Sequence, residues 1–293
     1  METVKWIECP RDALQGCPRP IPAELKAELL RRLLAAGFHH LDCASFVSPQ
    51  AVPQMADAEA VLARLGPVPA GAELIGIVLN RRGAERAAAT TVSTLGFPFS
   101  ISPTFQQRNA HQSLPQARDE LRAIQDAAGR AARKLIVYIS MAFGNPYGDA
   151  YAPELVAEAV AWSAGLGVAA ISLADTVGRA TAQQIAALFA PLRRQFPALE
   201  LGLHLHGRRE TAAAKVGAAY AAGCRRFDGA LAGLGGCPFA DDDLVGNIPS
   251  EIALPALAAA GARVPATAPD WGGALELIER LRRDYCAPAR ETA

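Results

Sequence analysis

The chain has 293 residues, 51% hydrophobic and 20% charged. That is ordinary for a soluble globular enzyme and long enough for one large α/β barrel or two smaller domains. Its 29 Lys and Arg balance 29 Asp and Glu, a formal net charge of zero, which gives no electrostatic case for nucleic acid or an anionic membrane; a local basic patch could still meet a phosphorylated ligand.

Six cysteines, Cys9, Cys17, Cys43, Cys224, Cys237 and Cys286, lie at irregular spacing with no Cys-x-x-Cys pair. That pattern predicts reduced thiols in a cytoplasmic compartment and no disulfide framework. A strand-like run begins at Val4, which leaves no room for a signal or transit peptide ahead of it. No apolar run is long enough to span a bilayer; residues 252–262 are too few and include Pro255 and Gly261.

In chain order, residues 4–9 read as a strand. Residues 23–36 follow with helical spacing at Leu25, Leu29, Leu30, Leu33 and Leu34, and Gly37 stops them as a C-cap residue would. Strand 39–43 precedes helix 54–65, and strand 74–79 precedes helix 81–89. A fourth strand falls within 91–101, before the long amphipathic helix 114–132. Strand 135–140 and helix 153–165 come next, then strand 168–173 and helix 181–195 with Thr181 as N-cap. Strand 199–204, helix 209–222, strand 226–231 and a helix near 250–260 complete eight units. Strict alternation means a parallel sheet, and eight units in one composition zone predict a closed (β/α)8 TIM barrel spanning 1–293 as a single domain. Residues 262–293 add an extension with one more helix, 271–284, which would cap the barrel or join a subunit interface.

In such a barrel the chemistry sits at the C-terminal ends of the strands. Those ends carry Pro10-Arg11-Asp12 after strand 1, Asp42 on strand 2, Ser140 after strand 5 and Asp175 after strand 6. Strand 7 ends in His204-Leu205-His206, whose imidazoles share one strand face and converge, as ligands of a divalent transition metal would. After strand 8 comes a glycine-rich segment, 235–247, with Cys237 and then Gly246-Asn247. It is neither a dinucleotide fingerprint nor a P-loop; it reads as a hinged lid delivering Cys237. Asp12, the two imidazoles and the Asn247 amide oxygen make a mixed oxygen and nitrogen set suited to Mg²⁺, Mn²⁺ or Zn²⁺. As neighbours in a loop, Arg11 and Asp12 are expected to turn different ways.

Together these residues resemble the 3-hydroxy-3-methylglutaryl-CoA lyase family of metal-dependent TIM-barrel lyases. The resemblance runs from about residue 7 to 251. It rests on Glu8-Cys9-Pro10-Arg11-Asp12-Ala13-Leu14-Gln15, on Ser45-Phe46-Val47-Ser48-Pro49 with Val52-Pro53-Gln54-Met55-Ala56-Asp57, on Ser172-Leu173-Ala174-Asp175-Thr176, on His204-Leu205-His206, on the stretch from Ala232 to Phe239, and on Gly246-Asn247.

The resemblance implies a divalent cation, Mg²⁺ or Mn²⁺ with Zn²⁺ as a further candidate, held by Asp12, His204, His206 and Asn247. It implies cleavage of 3-hydroxy-3-methylglutaryl-CoA to acetyl-CoA and acetoacetate, as in leucine degradation and ketone-body formation. Arg11 would stabilise the thioester enolate, Cys237 would protonate the acetyl-CoA carbanion, Asp42 or His204 would act as base, and Asp175 would support or orient the site. Gln15, Ser45, Ser140 and the pair Arg108-Asn109 would contact the acyl-CoA, with Arg108 meeting a phosphate. A homodimer is implied as well. Two alternatives stand beside this reading: a relative acting on another 3-hydroxyacyl-CoA, such as a citramalyl-like thioester, and a non-catalytic CoA-binding barrel.

The chain departs from the family pattern at five places. Ala13 stands for glycine, Asp42 for glutamate, Gly207 for the usual aspartate, Ser102-Pro103 for Ser-Glu, and Met141 for cysteine. Loss of acids around the pocket points to a changed substrate or altered support of the metal set.

Overall fold

A computed structural model describes residues 2–235, 245–266 and 270–286. Eight parallel strands close into a barrel in sequence order. They are β1 (Lys5–Glu8), β2 (His40–Ser45), β3 (Glu73–Ile77), β4 (Thr94–Ser100), β5 (Lys134–Ser140), β6 (Ala170–Asp175), β7 (Glu200–Leu205) and β8 (Arg226–Gly229). The seam pairs Lys5 with Arg226, Trp6 with Phe227, Ile7 with Asp228 and Glu8 with Gly229.

Helices α1 (Pro10–Leu14) and α2 (Ala23–Ala35) follow β1. Then α3 (Ala58–Leu65) follows β2, and α4 (Arg81–Ala88) follows β3. Both α5 (Pro103–Ala110) and α6 (Leu114–Arg130) follow β4. The remainder are α7 (Pro153–Gly165), α8 (Ala182–Gln195), α9 (Arg209–Ala221), α10 (Ser250–Ala259) and α11 (Gly272–Leu281).

Two-residue alternation sorts the side chains. On β5, Leu135, Val137 and Ile139 face the helices, while Ile136 and Tyr138 turn into the lumen with Ile7, Cys9, Ile75, Ile77 and Ala170. On β7, Leu201, Leu203 and Leu205 pack outward, so Gly202, His204 and His206 take the inner parity. At the N-terminal mouth, Lys5 meets Glu73 at 2.9 Å and Glu200 at 3.0 Å, and Arg226 meets Glu200 at 3.4 Å. These contacts tie β1, β3, β7 and β8 at the end of the barrel away from the functional loops.

The predicted helix starts hold where side chains cap them. Thr181 and Ser113 each form a capping box, with Gln184 and Gln116. Gly37, at φ 92°, follows α2 as expected.

Several expectations are corrected. Arg11 and Asp12 lie on a short helix, α1, entered through Pro10 at its first position, and α5 likewise starts at Pro103 behind the Ser102 cap. With five residues, α1 is too short to show a 3.6-residue period. The helix expected over 54–65 divides into a 3₁₀ turn at Pro53–Met55 and α3. Beyond α11, the segment Arg282–Cys286 is a π-type turn. Cys17 and Cys286 form a disulfide with their Cα atoms 4.2 Å apart, although the two residues are 269 positions apart in sequence. The terminal turn lies on the chain just after α1, where Arg19 N also donates to Tyr285 O at 3.2 Å. Spacing alone could not show that the two ends of the chain meet. Cys237 and most of the predicted lid lie outside the described residues.

Candidate active site

A cavity of about 250 Å³ opens at the C-terminal end of the barrel. Arg11, Asp12, Gln15, Ser45, Asn109, Ser140, His204 and His206 line it among the expected residues, against an apolar wall that includes Val47, Ile77, Leu79, Pro98 and Phe105.

Placing the guanidinium on a helix brings it onto its neighbour. Arg11 Nη1 donates to Asp12 Oδ1 at 3.0 Å and to Gln15 Oε1 at 3.0 Å, so the expectation that Arg11 and Asp12 diverge is overturned by the helical turn. Arg11 Nε donates to Asp42 Oδ1 at 3.0 Å and Nη2 to Asp42 Oδ2, a two-point fork that fixes the plane of the guanidinium. Burial disfavours the cation, yet Asp42 and Asp12 outweigh that cost and hold Arg11 charged. Burial raises the Asp42 carboxyl despite Arg11. Burial also pushes Asp12 up, but Arg11, His204 and His206 together bring it down to about 2.

One carboxylate oxygen of Asp12 and one ring nitrogen each from His204 and His206 lie within 4.8 Å of one another. The two imidazoles face each other, Nε2 to Nε2 at 3.1 Å. Their other nitrogens are committed to acceptors: His204 Nδ1 to Asp228 Oδ2 at 3.2 Å and His206 Nδ1 to the Val245 carbonyl at 2.9 Å. Both acceptors select the Nδ1–H tautomer. That leaves two Nε2 lone pairs pointing at each other, an arrangement that calls for a proton or a cation between them. The titration follows the same logic: burial lowers both, but the Asp228 hydrogen bond and charge raise His204, while the neighbouring His204 keeps His206 low.

Asn247 donates Nδ2 to Asp12 Oδ2 at 2.6 Å and to Leu234 O at 2.8 Å. Its buried Oδ1 has no hydrogen-bond partner among the described residues. A buried, unpartnered amide oxygen on a side chain bonded to Asp12 is a donor that a hard cation would take up, so the residues gathered here fit a divalent metal. An isolated bridge pairs His206 with Asn247, and at Gly235, φ 95°, a Cβ would come within 2.6 Å of Asp12 O and 2.7 Å of Asn247 Nδ2. Only glycine lets the start of the loop pass this close.

A second trio, Cys9, His204 and Asp228, is equally tight. There burial, Asp228 and Asp42 push the Cys9 thiol well up, and His204 Nδ1 pairs with Asp228.

The remaining expected residues fall elsewhere. Asp42 lies under Arg11 and does not line the cavity. Asp175 turns from the cavity to Lys215 Nζ at 2.9 Å. Arg108 is exposed at the rim, 4.7 Å above the Tyr147 ring. Three residues were missed: Asp228 behind His204, Tyr138 edge-on to His204 with ring centroids 5.9 Å apart, and Lys215. Asp228 and Tyr138 share the inward strand parity of their neighbours, a signal the sequence did contain.

The family model described as HMGL-like matches residues 3–270. A hydroxymethylglutaryl-CoA lyase of Pseudomonas mevalonii is 35% identical over 252 residues, 86% of this chain and 83% of that protein. An (R)-citramalyl-CoA lyase of Chloroflexus aurantiacus is 35% identical over 263 residues, 86% of this chain and 82% of that protein. The solved structure of an HMG-CoA lyase from Acinetobacter baumannii, in complex with coenzyme A and 3-methylmalate, superposes with a TM-score of 0.86 at 29% identity, covering 96% of this chain and 90% of that one.

Proposed function

This chain belongs to the HMGL-like family and is a carbon–carbon lyase; from that premise we propose that it cleaves 3-hydroxy-3-methylglutaryl-CoA to acetyl-CoA and acetoacetate. The observation that carries the reading is the meeting of His204 Nε2 and His206 Nε2 at 3.1 Å, beside Asp12 and the Arg11 guanidinium.

Asp12, His204, His206 and Asn247 would hold Mg²⁺ or Mn²⁺. When bound, the ion would supply Lewis acidity, lowering the pKa of a coordinated substrate hydroxyl. Release of the hydroxyl proton to water in the open cavity would let the bond between C2 and C3 break, with its electron pair moving onto the thioester as an enolate. Arg11 faces the cavity with a fixed, permanently charged donor for that oxygen. Asp42 spends both oxygens on Arg11, which makes it a positioning residue and not the base. Gln15 donates Nε2 to Asp12 Oδ1 at 2.8 Å and accepts from Arg11, steadying both charges. Ser45, Asn109 and Ser140 offer polar contacts to the acyl-thioester, Arg108 stands at the rim for a CoA phosphate, and Cys237 would return the proton to C2. The chain would work as a single barrel domain in a homodimer.

A second reading is cleavage of a citramalyl-type thioester. The equal identity to the (R)-citramalyl-CoA lyase favours it. Steady-state assays of the purified protein with both thioesters, with Mn²⁺ and with EDTA, decide between them. Acetyl-CoA release from hydroxymethylglutaryl-CoA that EDTA abolishes is the expected result. Turnover of only the citramalyl ester would replace the first reading, and metal-independent turnover would overturn both.

A further inference from the structure

Lys215 lies on α9, outside the barrel wall, yet it is only 4% exposed. Its ammonium has three N–H donors, and three acceptors meet it: Asp175 Oδ2 at 2.9 Å, Gly178 O at 3.0 Å and His206 O at 2.6 Å. The shortest of these is to the main chain of a residue whose ring faces the cavity.

The three acceptors come from two loops that meet at His206. Asp175 closes β6, and both of its oxygens also accept from Ala180 N at 3.2 Å, which fixes the turn through Gly178. That turn packs against Val245: a Cβ on Gly178 would come within 2.8 Å of the Val245 side chain. Val245 O in turn receives His206 Nδ1. Lys215 therefore grips His206 directly at its carbonyl and, through Gly178, steadies the residue that orients its ring. Gly207 N donates to Gly246 O at 3.0 Å on the other side. At Gly207 a Cβ would lie 3.4 Å from both Lys215 Cδ and Nζ and 3.0 Å from Ile248 Cδ1, so the absence of a side chain there leaves the ammonium its place.

We propose that Lys215 is a positioning residue for the metal set, fixing the main chain of His206 through a buried ion pair with Asp175. Ligand atoms must be held within roughly 0.5 Å for tight coordination, and loss of an outer partner of a ligating histidine commonly costs about 10- to 100-fold in metal affinity. The inference rests on the reading of His206 as a ligand, and Asp175 then acts through Lys215 without touching substrate.

Removing Lys215 alone would leave the Asp175 carboxylate buried without its counterion, which is destabilising whatever the role of the lysine. The discriminating variant is therefore the double substitution Lys215→Met with Asp175→Asn. Gly207→Ala crowds the same ammonium in a chain that keeps both charges. Mn²⁺ affinity is read by calorimetry, the bound ion by its electron paramagnetic resonance spectrum, and the metal-free fold by thermal melting, with His206→Ala alongside. The expected result is near-parental melting of the double variant, Mn²⁺ affinity down about tenfold or more with an altered spectrum, and a smaller loss in Gly207→Ala. Parental affinity and spectrum in the double variant, while His206→Ala loses the metal, would overturn the role of Lys215 alone. Parental affinity in His206→Ala would overturn the ligand reading and this inference with it.

Discussion

His204 Nδ1 lies 3.2 Å from Oδ2 of Asp228, a carboxylate buried inside the barrel. The contact determines which ring nitrogen of His204 keeps its lone pair, and so which way the imidazole can serve a metal. Arg226, two residues earlier on β8, stands 3.9 Å from the other Asp228 oxygen.

Asp228→Asn keeps the shape and removes the charge that selects the Nδ1–H tautomer. Mn²⁺ affinity by isothermal titration calorimetry should fall about 10- to 100-fold with the fold intact by circular dichroism. Parental affinity would show that the tautomer is fixed by something else.

Arg11→Met removes a cation that touches both Asp12 and Asp42. Turnover should drop by at least about 10²- to 10³-fold, the loss seen when an oxyanion donor is deleted, while metal content stays near the parent's. Stability should fall too, by about 3–5 kcal/mol, because Asp42 is left buried without its partner. Unaltered kcat would remove Arg11 from the chemistry.

His206→Ala should abolish the rise in melting temperature that Mn²⁺ gives the parent, because a ligand that binds only the folded state stabilises it by mass action. The metal-free melting temperature should move much less. An undiminished Mn²⁺-induced rise would exclude His206 as a ligand.

Glu8, which is not among the proposed metal ligands, gives a pH test. It accepts from Leu231 N at 2.6 Å, Ser250 Oγ at 2.5 Å and Trp6 Nε1 at 3.1 Å, yet burial pushes its carboxyl up to about 7. Between about pH 4.5 and 7 the folded chain keeps this proton and the unfolded chain has released it. The contribution of Glu8 is thus full below pH 4.5 and is lost as pH rises to 7, by about 3 kcal/mol at most. Glu8→Gln should flatten that part of the stability curve in urea titrations. The same slope in parent and variant would assign the titration elsewhere.

What was legible in the sequence was whatever a period or a local pattern encodes. Leu201, Leu203 and Leu205 alternate with His204 and His206, which placed the two imidazoles on one face before any coordinates. Asp12, by contrast, was a candidate ligand only by its residue type and its place after strand 1, because its approach to the imidazoles depends on the closure of β1 onto β8. The five-residue α1 has no period to detect, so the contact of Arg11 with Asp12 was misread. Lys215 looks like an ordinary solvated helix residue until α9 is packed on the barrel.

The chain by itself therefore determined the alternation of elements, the parity of each strand and the residue types gathered at the strand ends, since these follow from spacing along a covalent backbone. Tertiary structure alone decided which partners those residues keep: Asp42 on Arg11, Asp228 on His204, Lys215 on Asp175, and Cys17 with Cys286. Such pairings join positions from 24 to 269 apart in sequence. They arise when burial forces each polar group to find an acceptor or counterion among whatever the fold brings near, a demand with no local signature.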